Sequence, residues 1–227
     1  MATVLKLSAL WEAANMMLPT KEAWIKALTE RHGEELQKAF SSATVAICGL
    51  GGLGSNIAIH LARAGIGRLI LIDFDRVDIT NLHRQQYKAS QIGMYKTDAL
   101  AENLREINPY IEFEAQTERI TEDNAVKFLQ GADIVCEAFD DAECKAMLTN
   151  TILSEMPDKY LVAASGMAGM GVTNSIKTRK VTSRFYLCGD ETSEVSDGIG
   201  LVAPRVALCA AHQAHTVLRI LAKQFDV

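Results

Sequence analysis

The segment that most constrains this chain is Gly49-Leu50-Gly51-Gly52-Leu53-Gly54, a G-x-G-x-x-G run. It follows the short apolar stretch Thr44–Cys48 and precedes small residues at helical spacing up to Ala64. A strand that feeds a helix through a turn this tight needs glycine. The backbone must reverse sharply, and a phosphate can then approach the helix N-terminus. Arg68–Asp73 (RLILID) reads as a second buried strand, and Asp73 closes it 19 residues after Gly54. A carboxylate at that place is suited to accept from a ribose hydroxyl. The turn alone implies nucleotide binding and leaves NAD and ATP both open, with a plain packing turn as the bland alternative.

Beyond Asp73 the strands and helices keep alternating. The pattern predicts a helix over 93–107, a strand over Ile111–Ala115, a helix over Thr121–Gln130 with a Thr-x-x-Asn start, and a strand over Asp133–Cys136. A helix over Asp141–Glu155 and a strand over Tyr160–Ser165 follow. This order predicts an α/β, Rossmann-like, doubly wound and mostly parallel sheet. Val172–Lys177 and Arg184–Leu187 are candidate antiparallel strands, Cys188–Gly200 a polar loop, and Ala203–Gln224 a final helix. At the other end, residues 5–40 read as two helices separated at Pro19-Thr20, the second running from Lys21 to Phe40. No linker divides the 227 residues, so a single ATP-binding domain is expected, with residues 1–42 as a helical dimerisation segment.

Three polar segments converge on the crevice that such a sheet forms at its carboxyl edge. They are Asp73-Phe-Asp75 through Asn81, Arg84, Gln85 and Gln86; Gly93-Met-Tyr-Lys96; and Glu137-Ala-Phe-Asp140-Asp141. The residue types fit attack of a carboxylate on an α-phosphate, which brings two anions together and expels pyrophosphate. Arg84 can fork onto phosphate oxygens and Lys96 can act on them as a point charge. Asp140 can hold Mg²⁺, a hard cation that keeps most of its water. Taken singly, Arg84 and Lys96 read as solvated charges and Asp140 as a helix cap; together, and in this order, they select ATP. An NAD-linked oxidoreductase would read the same glycine turn, but no catalytic His or Tyr set for hydride transfer is evident.

The runs GLGGLGSN (Gly49–Asn56), DFDRVDITNLHRQQ (Asp73–Gln86), GMYKTDAL (Gly93–Leu100) and EAFDD (Glu137–Asp141) resemble the ThiF/MoeB family, bacterial relatives of ubiquitin-activating enzymes. AASGMAG (Ala163–Gly169) and the APR at Pro204 extend the resemblance weakly. The resemblance implies ATP-dependent adenylylation of the C-terminal Gly-Gly carboxylate of a ThiS-like β-grasp sulfur carrier, with thiamine thiazole synthesis as the expected pathway. It places Gly52 under the phosphates, Asp73 at the ribose, and Asn81, Arg84, Gln85 and Lys96 on the triphosphate, with Gly49, Gly51, Gly54 and Asp75 also expected at the nucleotide site. Asp140 would hold Mg²⁺, and Asp141 is expected among the nucleotide-binding residues. It implies a homodimer in which Arg31 reaches the partner subunit's site. Within the same chemistry, a tRNA threonylcarbamoyladenosine dehydratase is the rival reading.

The chain departs from the family in its cysteines. Relatives carry two C-x-x-C pairs for zinc, and the five cysteines here form none, so no zinc is expected. Where the thiazole enzyme carries a reactive cysteine, this chain has Ser196-Asp197-Gly198, which leaves Cys188 as the one substitute, with an inert loop thiol as the plainer reading. His212 and His215 share a helical face but lack a third ligand, and Met156, Met167 and Met170 read as core filler before a peptide groove. The formal charge of −5, with no basic face, argues against nucleic acid as the partner. No membrane-length apolar run or signal-like start is present, so a cytoplasmic protein is expected.

Overall fold

A computed structural model describes residues 18–195 and 200–227. The helix expected before Pro19 and the Ser196-Asp197-Gly198 triplet lie outside the described residues. Among the described residues, seven strands form one sheet: β1 (Thr44–Cys48), β2 (Arg68–Ile72), β3 (Glu112–Gln116), β4 (Ile134–Glu137), β5 (Tyr160–Ala164), β6 (Lys177–Lys180) and β7 (Phe185–Gly189). Their spatial order is β3-β2-β1-β4-β5-β7-β6, parallel throughout except for the antiparallel β6–β7 pair. The helices are α1 (Lys21–His32), α2 (Glu34–Ser42), α3 (Gly52–Ala64), α4 (Lys96–Ile107), α5 (Glu122–Leu129), α6 (Ala142–Glu155) and α7 (Ala203–Leu221).

Why the central strands read as unbroken apolar runs is visible in where alternate residues go. Val45 and Ile47 of β1 belong to one core, with Ile57 and Leu61 of α3, Leu100 and Leu104 of α4, and Val217 of α7. Ala46 and Cys48 belong to the other core, with Phe128 and Leu129 of α5 and Leu148 and Ile152 of α6. A strand covered on both faces has no solvent side to mark with polar residues. Each fully buried Ile or Leu contributes about 1.5–3 kcal/mol relative to exposure. The order reverses between β1 and β4, and that switch point opens the crevice at the carboxyl edge.

Two sequence expectations shift. The helix expected over Lys21–Phe40 is broken at Gly33, whose φ of +84° is a left-handed value that ends α1 before α2 begins. The strand expected over Val172–Lys177 begins only at Lys177, because Thr173–Ser175 form a 3-10 turn in which Ser175 N–H donates to the Val172 carbonyl. That turn is held by Arg205, 6% exposed at the start of α7. Its guanidinium donates to the carbonyls of Ala168 (3.1 Å), Gly171 (3.1 Å) and Val172 (3.2 Å), to the Ser175 hydroxyl, and to Asp190 just beyond β7. Burial pushes the Asp190 carboxyl up, but the N–H groups of Ser193 and Thr192, the Ser193 hydroxyl and Arg205 outweigh it and hold it at about 2.

A Cβ on Gly54 would lie 1.8 Å from the Gly49 carbonyl oxygen, so Gly54→Ala must pry α3 from the end of β1. The substitution should cost at least about 1–3 kcal/mol in urea unfolding, whereas Gly131→Ala, which meets nothing within 4 Å, should be neutral or slightly stabilising. Arg205→Ala leaves Asp190 without its cation and should cost about 3 kcal/mol. Since Asp190 titrates at about 2 when folded and at about 3.9 when unfolded, its contribution is full above about pH 4 and lost as pH falls through about 2. Thermal melts of wild type and Arg205→Ala between about pH 5 and pH 2 should therefore converge toward the acid end.

Candidate functional site

Cys48 ends β1, and the chain turns at Gly49 with φ +90°. A Cβ there would strike the Ala138 carbonyl oxygen at 2.8 Å, so the turn is pressed against the end of β4. Gly54 permits the close crossing of α3 over the turn, and Gly51 is open, its nearest neighbour on that side being Gln85 Nε2 at 3.7 Å. The turn is fastened to the next strand by Asp73. One carboxylate oxygen accepts from Leu50 N–H at 2.6 Å, the other from Asp75 N–H at 2.7 Å. Burial pushes the Asp73 carboxyl above its ordinary range, partly offset by Lys96 Nζ at 3.7 Å and by the two N–H donors.

Lys96 is delivered to this spot by backbone. Arg76 and Tyr95 form an isolated antiparallel bridge, and Lys96 N–H donates to the Asp75 carbonyl at 3.0 Å. The buried ammonium then meets Asp75 Oδ2 at 2.7 Å. The segment carrying Arg84 and Gln85 is clamped by a polar network. Tyr87 hydroxyl donates to the Leu50 carbonyl at 2.7 Å, Gln86 N–H to Ser55 Oγ at 3.1 Å, and Asn103 Nδ2 to the Gln86 carbonyl at 2.8 Å. Arg84 Nη2 donates to Asn81 Oδ1 at 3.0 Å, while Arg84 Nε and Gln85 Oε1 are buried with no partner among the described residues.

These groups wall one crevice of about 620 Å³. Gly49, Gly51, Gly52, Asp73, Asp75, Asn81, Arg84, Gln85, Lys96, Asp140 and Asp141 all line it. Gly54 does not, since it lies beneath the turn against Gly49. Arg31 does not either: it is exposed in the last turn of α1, a helix that packs with Trp24 and Leu28 beside Gly65, Gly67 and Arg68 at the opposite, amino edge of the sheet. Of the two acidic residues after β4, Asp141 caps α6 through Cys144 N–H at 2.8 Å, and that N–H lowers its pKa. The cap therefore falls on Asp141 and leaves the exposed Asp140 carboxylate facing the crevice without that task.

Sequence reading assigns no role to the second lysine of the crevice. Lys145, in the first turn of α6, meets both oxygens of Glu137 at 2.9 Å and donates to the Ala164 carbonyl at 3.0 Å. Glu137 is 1% exposed, and burial pushes its carboxyl up despite Lys145 and the Phe139 N–H. The pair ties the end of β4 to the end of β5 and fixes the turn that carries Asp140. A glutamate closing an apolar strand, eight residues before a lysine, is the signal that could have found it.

Other sequence candidates resolve differently. Cys188 is not a loop thiol; it lies in β7, fully buried, and burial raises it to about 11. Alternation along Phe185–Gly189 turns it into the core, where a thiolate is disfavoured. His212 Nδ1 is engaged with Thr178 Oγ1 at 3.0 Å. Among the described residues no group of three or more His, Cys, Asp or Glu side chains could hold a metal ion. Met156 is core, Met167 lines the crevice, and Met170 is 72% exposed. The described lining of the crevice includes no histidine or tyrosine, the residue types that the NAD-linked reading requires for hydride transfer. No helix among the described residues is long and apolar enough to cross a membrane.

Comparison with known proteins identifies relatives of this chain. The adenylyltransferase and sulfurtransferase UBA4 of Lodderomyces elongisporus is 30% identical over 192 residues, 82% of this chain and 42% of that protein. The adenylyltransferase and sulfurtransferase MOCS3 of Culex quinquefasciatus is 35% identical over 136 residues, 60% of this chain and 31% of that protein. The chain thus spans less than half the length of these relatives. Among solved structures, E. coli tRNA N6-threonylcarbamoyladenosine dehydratase, TcdA, in complex with ATP superposes with a TM-score of 0.79 at 23% identity, covering 88% of this chain and 94% of that one. E. coli MccB superposes at 0.65 and 23%, covering 84% and 57%. At such identities these two establish a shared fold. Residues 26–226 match the ThiF family, and this chain belongs to it.

Proposed function

We propose that this chain is an ATP-dependent adenylyltransferase that activates a carboxylate at the end of a flexible protein tail. The observation that carries the proposal is the convergence of Arg84, Lys96 and Asp140 on the glycine turn that Asp73 holds. The carboxylate of the tail attacks the α-phosphorus, the bond to the β-phosphate oxygen breaks, and pyrophosphate leaves. Arg84 and Lys96 offset the negative charge that gathers on the phosphate oxygens, and their fixed positions avoid reorganisation during the step. Asp73, already holding two N–H donors, accepts from the ribose.

Asp140 fits a Mg²⁺ site because it is a crevice carboxylate free of the capping role, and magnesium needs only one or two protein carboxylates beside phosphates. When bound, the ion neutralises phosphate charge. The substrate we favour is a ThiS-like β-grasp carrier ending in Gly-Gly, with thiamine thiazole synthesis as its pathway. UBA4 and MOCS3, which are named adenylyltransferase and sulfurtransferase, support the activation step. A homodimer with Arg31 donated across the interface belongs to the same reading, since Arg31 lies far from its own crevice. A tRNA-borne carboxylate is the second reading, favoured by the match to 94% of TcdA's length. The net charge of −5 weighs against it.

Carrier-dependent exchange of pyrophosphate into ATP tests the main reading. Asp140→Ala should lower the exchange rate about 10²–10³-fold, and Arg84→Ala and Lys96→Ala by similar factors. An unchanged rate in Asp140→Ala would remove its assigned role. Stimulation of ATP cleavage by tRNA in place of a Gly-Gly carrier would select the second reading. Cys188→Ser should leave exchange within about twofold of wild type, as expected for a buried thiol outside the chemistry.

A further inference from the structure

The crevice continues past Asp73. Register between β2 and β3 pairs Ile72 with Gln116, and Asp73 N–H donates to the Gln116 carbonyl at 3.2 Å. The segments leaving those two strands therefore run side by side, which brings Arg119 to Phe74. The Arg119 Cζ stands 4.7 Å from the Phe74 ring centroid. Both residues line the crevice, together with Ile120, Phe139 and Ala142. Phe74 is 46% exposed.

Other arginines also sit over rings: Arg76 over Tyr95 and Arg105 over Phe113. Those pairs lie outside the crevice lining, and covering an aromatic ring is sufficient reason for them. Arg119 differs in position. On the reading that puts phosphates at the glycine turn and the ribose at Asp73, the crevice residues after β2 and β3, Phe74, Arg119 and Ile120, are the ones left to meet a base. Phe74 and Ile120 give that part of the lining apolar surface, which suits a planar base. A guanidinium has two faces; Phe74 lies against the exposed Arg119 side chain, and Asp141 is within reach of its charge.

We propose that Arg119 is the base-stacking residue of this site, its guanidinium plane held by Phe74 against one face of the nucleotide base. The inference rests on the nucleotide reading above and adds the element that senses the base. Stacking on a guanidinium is tolerant of ring identity, so Arg119 supplies affinity for a planar base, with selection among bases left to other contacts. It touches no phosphate in this arrangement, and that separates it from Arg84 and Lys96.

Calorimetric titration of the full chain with ATP and with inorganic tripolyphosphate tests this. Arg119→Ala should weaken ATP binding about tenfold and leave tripolyphosphate binding unchanged. Arg119→Lys, which keeps the charge and loses the plane, should behave like alanine, while Arg119→Tyr should recover most of the ATP affinity. Unchanged ATP affinity in Arg119→Ala overturns the assignment. Equal weakening toward tripolyphosphate also overturns it, because the guanidinium would then be acting on phosphates. Wild-type protein that binds tripolyphosphate but shows no preference for ATP over it sinks the stacking role while sparing the phosphate site. Wild-type protein that binds neither sinks both readings.

Discussion

Everything at the crevice is referred to the Asp73 carboxylate. It receives the Leu50 N–H of the glycine turn and the Asp75 N–H of the following segment, and stands 3.7 Å from the Lys96 ammonium. Three stretches distant in sequence are thereby fixed to one side chain at the end of β2. The energetic balance is fine: burial disfavours the charge, and Lys96 and the donors favour it. Such a group is well placed to exchange part of its hydrogen bonding for a ligand hydroxyl, because its geometry is set before any ligand arrives. The polar network through Tyr87, Gln86 and Asn103 then extends this order to Arg84 and Gln85.

Buried ion pairs do the corresponding work elsewhere around the crevice. Glu137–Lys145 joins the ends of β4 and β5, and Asp190–Arg205 joins the loops after β5 and β7 to the start of α7. Desolvating such charges is costly, so pairs of this kind are poor sources of net stability. Their geometric demands are strict, however, and each guanidinium nitrogen of Arg205 is directed at a carbonyl, a hydroxyl or a carboxylate. The loops they hold, including Gly166, Met167, Ala168 and Ser193, form part of the crevice lining. Loops that must shape a site without secondary structure of their own benefit from such fixed directions.

The sheet and the glycine-turn side of the crevice are legible in the sequence because their determinants are local. A glycine pattern, an apolar run and a carboxylate at a set distance each act within a few dozen residues. The break at Gly33 escapes a sequence reading, since a lone glycine inside a helical pattern does not announce a left-handed φ. Cys188 reads as a loop residue because the polar stretch after it hides the end of the strand expected over Arg184–Leu187, which runs on to Gly189 and pairs with β5. The roles of Lys145 and Arg205 are hidden for a related reason: their partners Glu137, Asp190 and Ser175 come to them only once the chain is wound.

The outermost strand has its own consequence. β6 lies at the end of the sheet and reads Lys-Thr-Arg-Lys, so its unpaired backbone edge is flanked by like charges. Sheets with bare, apolar borders invite further chains to add on, and cationic side chains there oppose such addition. An incoming polypeptide finds little welcome along that border. Growth of the sheet is thus discouraged at the end farthest from the crevice.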